Sequence, residues 1–252
     1  MEKILDSIQR NSAAGRKMLA VLLDPDLLAC EARTAKMLEL LAVHRPDFVF
    51  VGGSHTVERS DLLIRRLKAH SDLPVLLFPG NVSQFSPEAD ALLNLSLLSG
   101  RNPDFLIGQH VLAAIEVKRS GIEVLPTAYL LIEGGRCSSV EYISNTRPIP
   151  RDKQQIALAT AVAGELLGMQ LVYLEAGSGA LLPVPAELIR CVRQGCGLPL
   201  IVGGGIRSEE ALETAYRAGA DLVVLGNVLE SEAQKIAAFV EVRRRCSESG
   251  KL

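Results

Sequence analysis

Short apolar runs recur along the chain, separated by longer, more polar segments whose apolar residues fall at helical spacing. The runs at residues 18–23, 48–51, 75–78, 105–107, 123–130, 171–174, 200–202 and 222–225 are strand-sized and rich in branched or aromatic side chains. Alternating strand and helix signals predict a parallel sheet, and about eight strands predict closure into a barrel rather than an open sheet. The expected fold is therefore α/β, a (β/α)8 TIM barrel forming one domain over residues 1–252.

Local punctuation adds detail. Ser86-Pro87-Glu88 reads as an N-cap followed by proline at the first helical position, and Ser208-Glu209-Glu210 opens a helix expected to end near Gly219. Residues 133–152 carry Gly134, Gly135, Pro148 and Pro150 and predict a long loop before a helix over 154–167. No low-complexity tract or interdomain linker interrupts the pattern.

Charge narrows the range of functions. The 27 Lys and Arg nearly balance the 29 Asp and Glu, so no global field draws in nucleic acid, and any phosphate must be bound locally. Five cysteines, odd in number and without a C-x-x-C pairing, in a chain with no signal-peptide pattern, lead us to expect a reduced cytoplasmic setting. No apolar run approaches the roughly 20 residues that span a bilayer.

Three glycine-bearing segments follow late predicted strands: Glu175-Ala176-Gly177-Ser178-Gly179, Gly203-Gly204-Gly205-Ile206-Arg207 and Gly226-Asn227. At the C-terminal face of a barrel they would converge, and glycine lets a phosphate approach backbone N–H groups. Any one of them alone reads as a tight turn; together they predict a phosphate-binding site. Arg207 reads equally as an anion ligand or as a solvated first-turn residue.

The first strand ends in Asp24-Pro25-Asp26 and the second in Gly52-Gly53-Ser54, which brings carboxylates and a hydroxyl to the same face. Hard oxygen ligands suit Mg²⁺, which keeps waters and takes phosphate oxygens, so a diphosphate is expected here, well separated from the phosphomonoester site. Either aspartate alone reads as an Asx-Pro turn; the Gly-Gly-Ser beside them favours metal at Asp24. His110 is expected at the end of the fourth strand, where it reads either as a substrate contact or, as a single His more often does, as satisfying a local hydrogen bond, whereas His44, His55 and His70 read as structural or exposed.

Taken in order, Leu22-Leu23-Asp24-Pro25-Asp26, Val51-Gly52-Gly53-Ser54, Pro79-Gly80-Asn81, Leu125-Pro126-Thr127-Ala128-Tyr129, Tyr173 through Gly179, Gly203 through Ile206 and Gly226-Asn227 resemble the geranylgeranylglyceryl phosphate synthase family. The string from Val140 to Lys153 is also family-like. The resemblance implies Mg²⁺-dependent transfer of a geranylgeranyl group from its diphosphate to the 3-hydroxyl of sn-glycerol 1-phosphate, an ether-lipid precursor reaction. By position it implies Asp24 and Ser54 as magnesium ligands. Tyr173, Leu174, Glu175, Ala176, Gly177, Ser178, Gly179, Gly204, Gly205, Gly226 and Asn227 would hold glycerol 1-phosphate. Some bacterial relatives carry Lys where this chain has Leu22, which points to the other branch of the family. The family also implies a homo-oligomer, a dimer or larger, and its apolar product implies transient access to a membrane surface.

Within that chemistry Glu175 is the candidate to accept the hydroxyl proton or to favour a cationic transition state, with Tyr173 or Tyr129 orienting the acceptor. Glu175 reads otherwise as a loop cap, and the tyrosines as packing residues. Three other readings stay open: a related synthase with a different prenyl length, a phosphosugar isomerase or aldolase, and a non-catalytic phosphate-binding barrel. The last needs neither Asp24 nor Glu175.

Overall fold

The computed structural model describes residues 3–54 and 56–249; His55 lies outside them. Among the described residues, eight parallel strands pair in sequential order and close into a barrel. They are β1 (Met18–Leu23), β2 (Phe48–Val51), β3 (Val75–Leu77), β4 (Ala91–Leu97), β5 (Glu123–Leu131), β6 (Leu171–Glu175), β7 (Leu200–Gly203) and β8 (Leu222–Leu225). The helices are α1 (Ile4–Ala13), α2 (Glu31–His44), α3 (Ser60–His70), α4 (Gln109–Ser120), α5 (Ser139–Ser144), α6 (Gln154–Leu166), α7 (Ala186–Gly195), α8 (Glu209–Ala218), α9 (Asn227–Ser231) and α10 (Ile236–Ser249).

Period-two alternation divides the core into two layers. Met18, Phe50, Leu76, Leu93, Tyr173 and Ile201 fill the barrel interior. Leu19, Val49, Leu77, Val172 and Val202 face the helices instead, meeting side chains such as Leu188, Ile189 and Val192 of α7. Helix α1 packs Ile4 and Ile8 into the interior cluster, and its first N–H groups, those of Ile4 and Leu5, donate to the Glu123 carboxylate at 2.8 and 2.9 Å. The negative side chain satisfies donors that a helix start leaves unpaired.

Two sequence expectations fail together. The fourth strand is Ala91–Leu97, and residues 105–107 lie in a π-helical turn (Asp104–Gly108) that runs into α4. Asn94 and Ser96 interrupt the apolar run of the true strand, while Phe105-Leu106-Ile107 is compactly apolar. The helix expected from Ser86-Pro87 is a turn: Ser86 Oγ accepts from Glu88 N–H at 3.3 Å, the same local bond that an N-cap makes, but Asp90 then pairs with Val75 and the chain enters β4 directly. The connection from β3 to β4 therefore carries a short 3-10 turn (Val82–Gln84) and, among the described residues, no α-helix. One place in the outer helical ring is left without a helix. By contrast, Ser208 caps α8 by accepting from Ala211 N–H, and α6 occupies nearly the span expected for it. The 133–152 loop is real, but it holds the short helix α5 and an Ile132–Ile149 bridge.

Candidate active site

Alternation along β6 turns Tyr173 into the barrel and Leu174 toward the helices, so Glu175 points inward again at the strand end. It is 6% exposed, and its Oε1 accepts from the backbone N–H of Gly177 at 2.7 Å. Burial pushes the Glu175 carboxyl up to about 7, against the opposing pull of the Gly177 N–H and the Tyr173 hydroxyl. That places a proton acceptor near neutrality. The Tyr173 hydroxyl is buried beside it, with no well-formed hydrogen bond among the described residues. Burial, then the charge of Glu175, raises the phenols of both Tyr173 and Tyr129 well above the usual range, so both remain proton donors. The two rings, 5.4 Å apart, pack with Phe78 into the floor of the site.

Gly204, at φ +82°, faces this carboxylate. A Cβ there would run into Glu175 Oε1 and the amides of Ala176 and Gly177, so the close approach of the β6 and β7 loops depends on glycine. The β8 loop joins them, because Asn227 Oδ1 accepts from Gly179 N–H at 3.0 Å and from Ser178 Oγ at 3.3 Å. The three segments singled out in the sequence thus converge. Leu174 and Ala176 turn their side chains into the barrel–helix layer and can offer the site only backbone. Arg207 is exposed immediately before the Ser208 cap of α8, close to the solvated reading, and its Nη2 donates to the Ala180 carbonyl of the β6 loop at 3.0 Å.

Asp24 and Ser54 line the same cavity, of about 150 Å³, as Tyr173, Glu175, Gly204 and Asn227. The residues expected to hold a cation and those expected to hold a phosphomonoester therefore line one mouth, where the sequence predicts well-separated sites. The reason is geometric: strands β1 and β8 are neighbours in a closed barrel, although their ends are far apart in the chain. Asp24 Oδ1 accepts from Asp26 N–H at 2.9 Å and so caps the following 3-10 turn (Pro25–Ala29). Asp26 has a structural task, taking the N–H groups of Val57 and Glu58, each at 2.8 Å. No cluster of three or more His, Cys, Asp or Glu side chains suited to a metal occurs among the described residues. One carboxylate and one hydroxyl fit an ion such as Mg²⁺, which takes its remaining ligands from water and phosphate.

Sequence reasoning missed Glu230, which stands on the rim of this cavity. Enclosure, then the charge of Asp24, raises its carboxyl. The signal was its spacing: the short helix beginning at Asn227 returns residue 230 to the same rim one turn later.

A second cavity, of about 240 Å³, shares Gly53, Ser54, Phe78 and Tyr129 with the first and runs on between the barrel and α4. Its walls are mostly apolar, with Leu93, Leu95, Ala113, Ala114 and Val117 beside the polar Asn94 and Gln109. It occupies the part of the ring where the β3–β4 connection supplies no helix. His110 lines it from the first turn of α4, not from a strand end, with Nε2 2.9 Å from the Leu95 carbonyl. Its displacement follows from that of the fourth strand.

The model of the PcrB family matches residues 14–243. The chain belongs to the PcrB family. It is 47% identical over 237 residues to a geranylgeranylglyceryl phosphate synthase of Spirosoma linguale, covering 94% of this chain and 95% of that one. A synthase of the same name from Korarchaeum cryptofilum is 44% identical over 236 residues, covering 93% and 96% of the two chains. Among solved structures, (S)-3-O-geranylgeranylglyceryl phosphate synthase from Thermoplasma acidophilum, in complex with its substrate sn-glycerol-1-phosphate, superposes with a TM-score of 0.90 at 35% identity, covering 97% of this chain and all of that one. The PcrB-family barrel is thus matched along nearly its whole length.

Proposed function

We propose that this PcrB-family chain is a geranylgeranylglyceryl phosphate synthase, transferring a geranylgeranyl group from its diphosphate to the 3-hydroxyl of sn-glycerol 1-phosphate. The observation that carries the reading is the shared wall between the two cavities. A polar mouth lined by Glu175, Asp24 and the glycine loops adjoins, through shared walls at Gly53, Ser54, Phe78 and Tyr129, a mostly apolar groove whose lining suits a hydrocarbon chain. A phosphosugar isomerase has no use for such a groove.

In this reading the loops after β6, β7 and β8 hold the glycerol phosphate, and Tyr173 and Tyr129 donate toward its oxygens. Glu175 accepts the proton of the attacking hydroxyl. The C–O bond of the ether forms at the allylic carbon as the C–O bond to diphosphate breaks, and diphosphate leaves with the electron pair. Asp24 and Ser54 would hold Mg²⁺, which supplies charge neutralisation to the departing diphosphate. The groove beside α4 fixes the prenyl chain so that its reactive end lies in the mouth.

No helix among the described residues is long and apolar enough to cross a membrane. We place the enzyme in the cytoplasm, a setting that suits its five free thiols, with transient access to the membrane surface for its apolar product. We also propose a homo-oligomer, supported by the exposed apolar row Ile107, Val111, Leu112 and Ile115 on α4 and the turn before it.

The test is Mg²⁺-dependent conversion of labelled sn-glycerol 1-phosphate and geranylgeranyl diphosphate to an organic-extractable ether, with glycerol 3-phosphate and Asp24→Ala as controls. Product formed with the 1-phosphate and lost in the variant supports the reading. Folded protein that gives no product with any allylic diphosphate overturns it.

A further inference from the structure

The β6 loop is less available to an anion than its glycines suggest. Ala176 N–H donates to the Gly203 carbonyl, Gly177 N–H to Glu175, Gly179 N–H to Asn227 and Ala180 N–H to the Gly177 carbonyl. Four of the amides that could cradle a phosphate are thus already engaged within the protein. The carboxylate of Glu175 adds negative charge beside the same loop. Arg207, the cation the motif itself carries, turns its Nη2 to the Ala180 carbonyl.

The missing positive charge comes from the preceding loop. The segment after β5 dovetails with the β6 loop: the Gly134 carbonyl accepts from Leu181 and Leu182 N–H at 2.9 and 3.1 Å, and a Cβ on Gly177 would strike Ser138. Ser138 is itself fixed, accepting from Glu141 N–H as the cap of α5. Between these two anchored points stands Arg136, exposed, its guanidinium lying where a Cβ of Gly179 would project. A guanidinium over the glycine loop offers paired N–H donors in the geometry that a phosphate accepts.

We propose that Arg136 binds the phosphate of the glycerol phosphate substrate, supplying positive charge from the β5 loop beside a β6 loop whose amides are largely engaged. The inference rests on the glycerol phosphate reading given above. It also assigns Gly179 a further role, because a side chain there would displace the guanidinium.

The test is calorimetric titration of the wild-type, Arg136→Ala and Arg136→Lys proteins with sn-glycerol 1-phosphate and, separately, inorganic phosphate, alongside KM for both substrates. Arg136→Ala is expected to raise both dissociation constants by about tenfold or more, the range for losing a charge-assisted hydrogen-bonded pair. KM for the prenyl diphosphate and the melting temperature should stay unchanged, and Lys should recover part of the affinity. Wild-type affinity in Arg136→Ala, or an equal rise in KM for both substrates, overturns the proposal while leaving the function intact. If the wild-type protein itself binds neither ligand, the glycerol phosphate reading fails and this proposal fails with it.

Discussion

The backbone N–H of Gly177 donates to Oε1 of Glu175 at 2.7 Å, so the loop that frames the substrate site also aims its buried carboxylate. Opposite it, Gly204 comes so near the same oxygen that no side chain fits between them. The Glu175 carboxylate and the β6 and β7 glycine loops are thus one packed unit.

Glu175 should govern the pH dependence. Its carboxyl is raised to about 7, so the acceptor form is lost as pH falls through that value, and kcat/KM should drop by about tenfold per unit below it. Glu175→Gln should remove this acid limb and lower kcat by about 10²–10⁴-fold. Stability runs the other way. A carboxyl raised in the folded state binds more protons folded than unfolded, so stability declines as pH rises from its ordinary range toward about 7. Glu175→Gln should escape that decline, as pH-resolved thermal melts will show.

Asp24→Asn separates capping from metal binding. The amide oxygen can still accept from Asp26 N–H, so the 3-10 turn and the melting temperature should be retained. The negative charge is lost, and Mn²⁺ binding followed by electron paramagnetic resonance should weaken by about tenfold or more. Unchanged Mn²⁺ affinity would remove Asp24 from the cation site.

Ala114→Phe should shorten the groove. Ala114 lines the apolar cavity from α4, a helix with no buried residue, so the added ring meets little resistance from packing. KM for geranylgeranyl diphosphate should rise several-fold while that for farnesyl diphosphate changes little. Equal effects on both donors would place the chain elsewhere.

Gly204→Ala should be costly in itself. The residue sits at φ +82°, and a Cβ would meet two backbone amides and Glu175 Oε1, which the Gly177 N–H holds in place. A loss of about 1–3 kcal/mol is expected from the strained backbone alone. Denaturant unfolding gives the loss, and glycerol 1-phosphate titration shows whether the surviving fold still binds.

Seven of the eight strands could be located from the chain alone, because a strand buried on both faces is a nearly unbroken apolar run. The glycine segments, Asp24, Ser54, Tyr173 and Glu175 were legible for a similar reason: each follows a strand, and a barrel brings strand ends to one face. What the chain could not show were the features set by contacts between distant segments. Asn94 and Ser96 hid β4. The Ser86-Pro87 signal reads the same in a turn as in a helix start, and only the pairing of Asp90 with Val75 decides between them. From that decision follows the ring position without a helix, and with it the apolar groove, whose walls are made of the same residue types as the core. The meeting of Asp24 and Ser54 with the glycine loops in one cavity, the place of Glu230 on its rim and that of Arg136 over Gly179 likewise arise only when the barrel closes. Local sequence specifies which residues form strands and turns; which of their ends become neighbours is settled by three-dimensional packing.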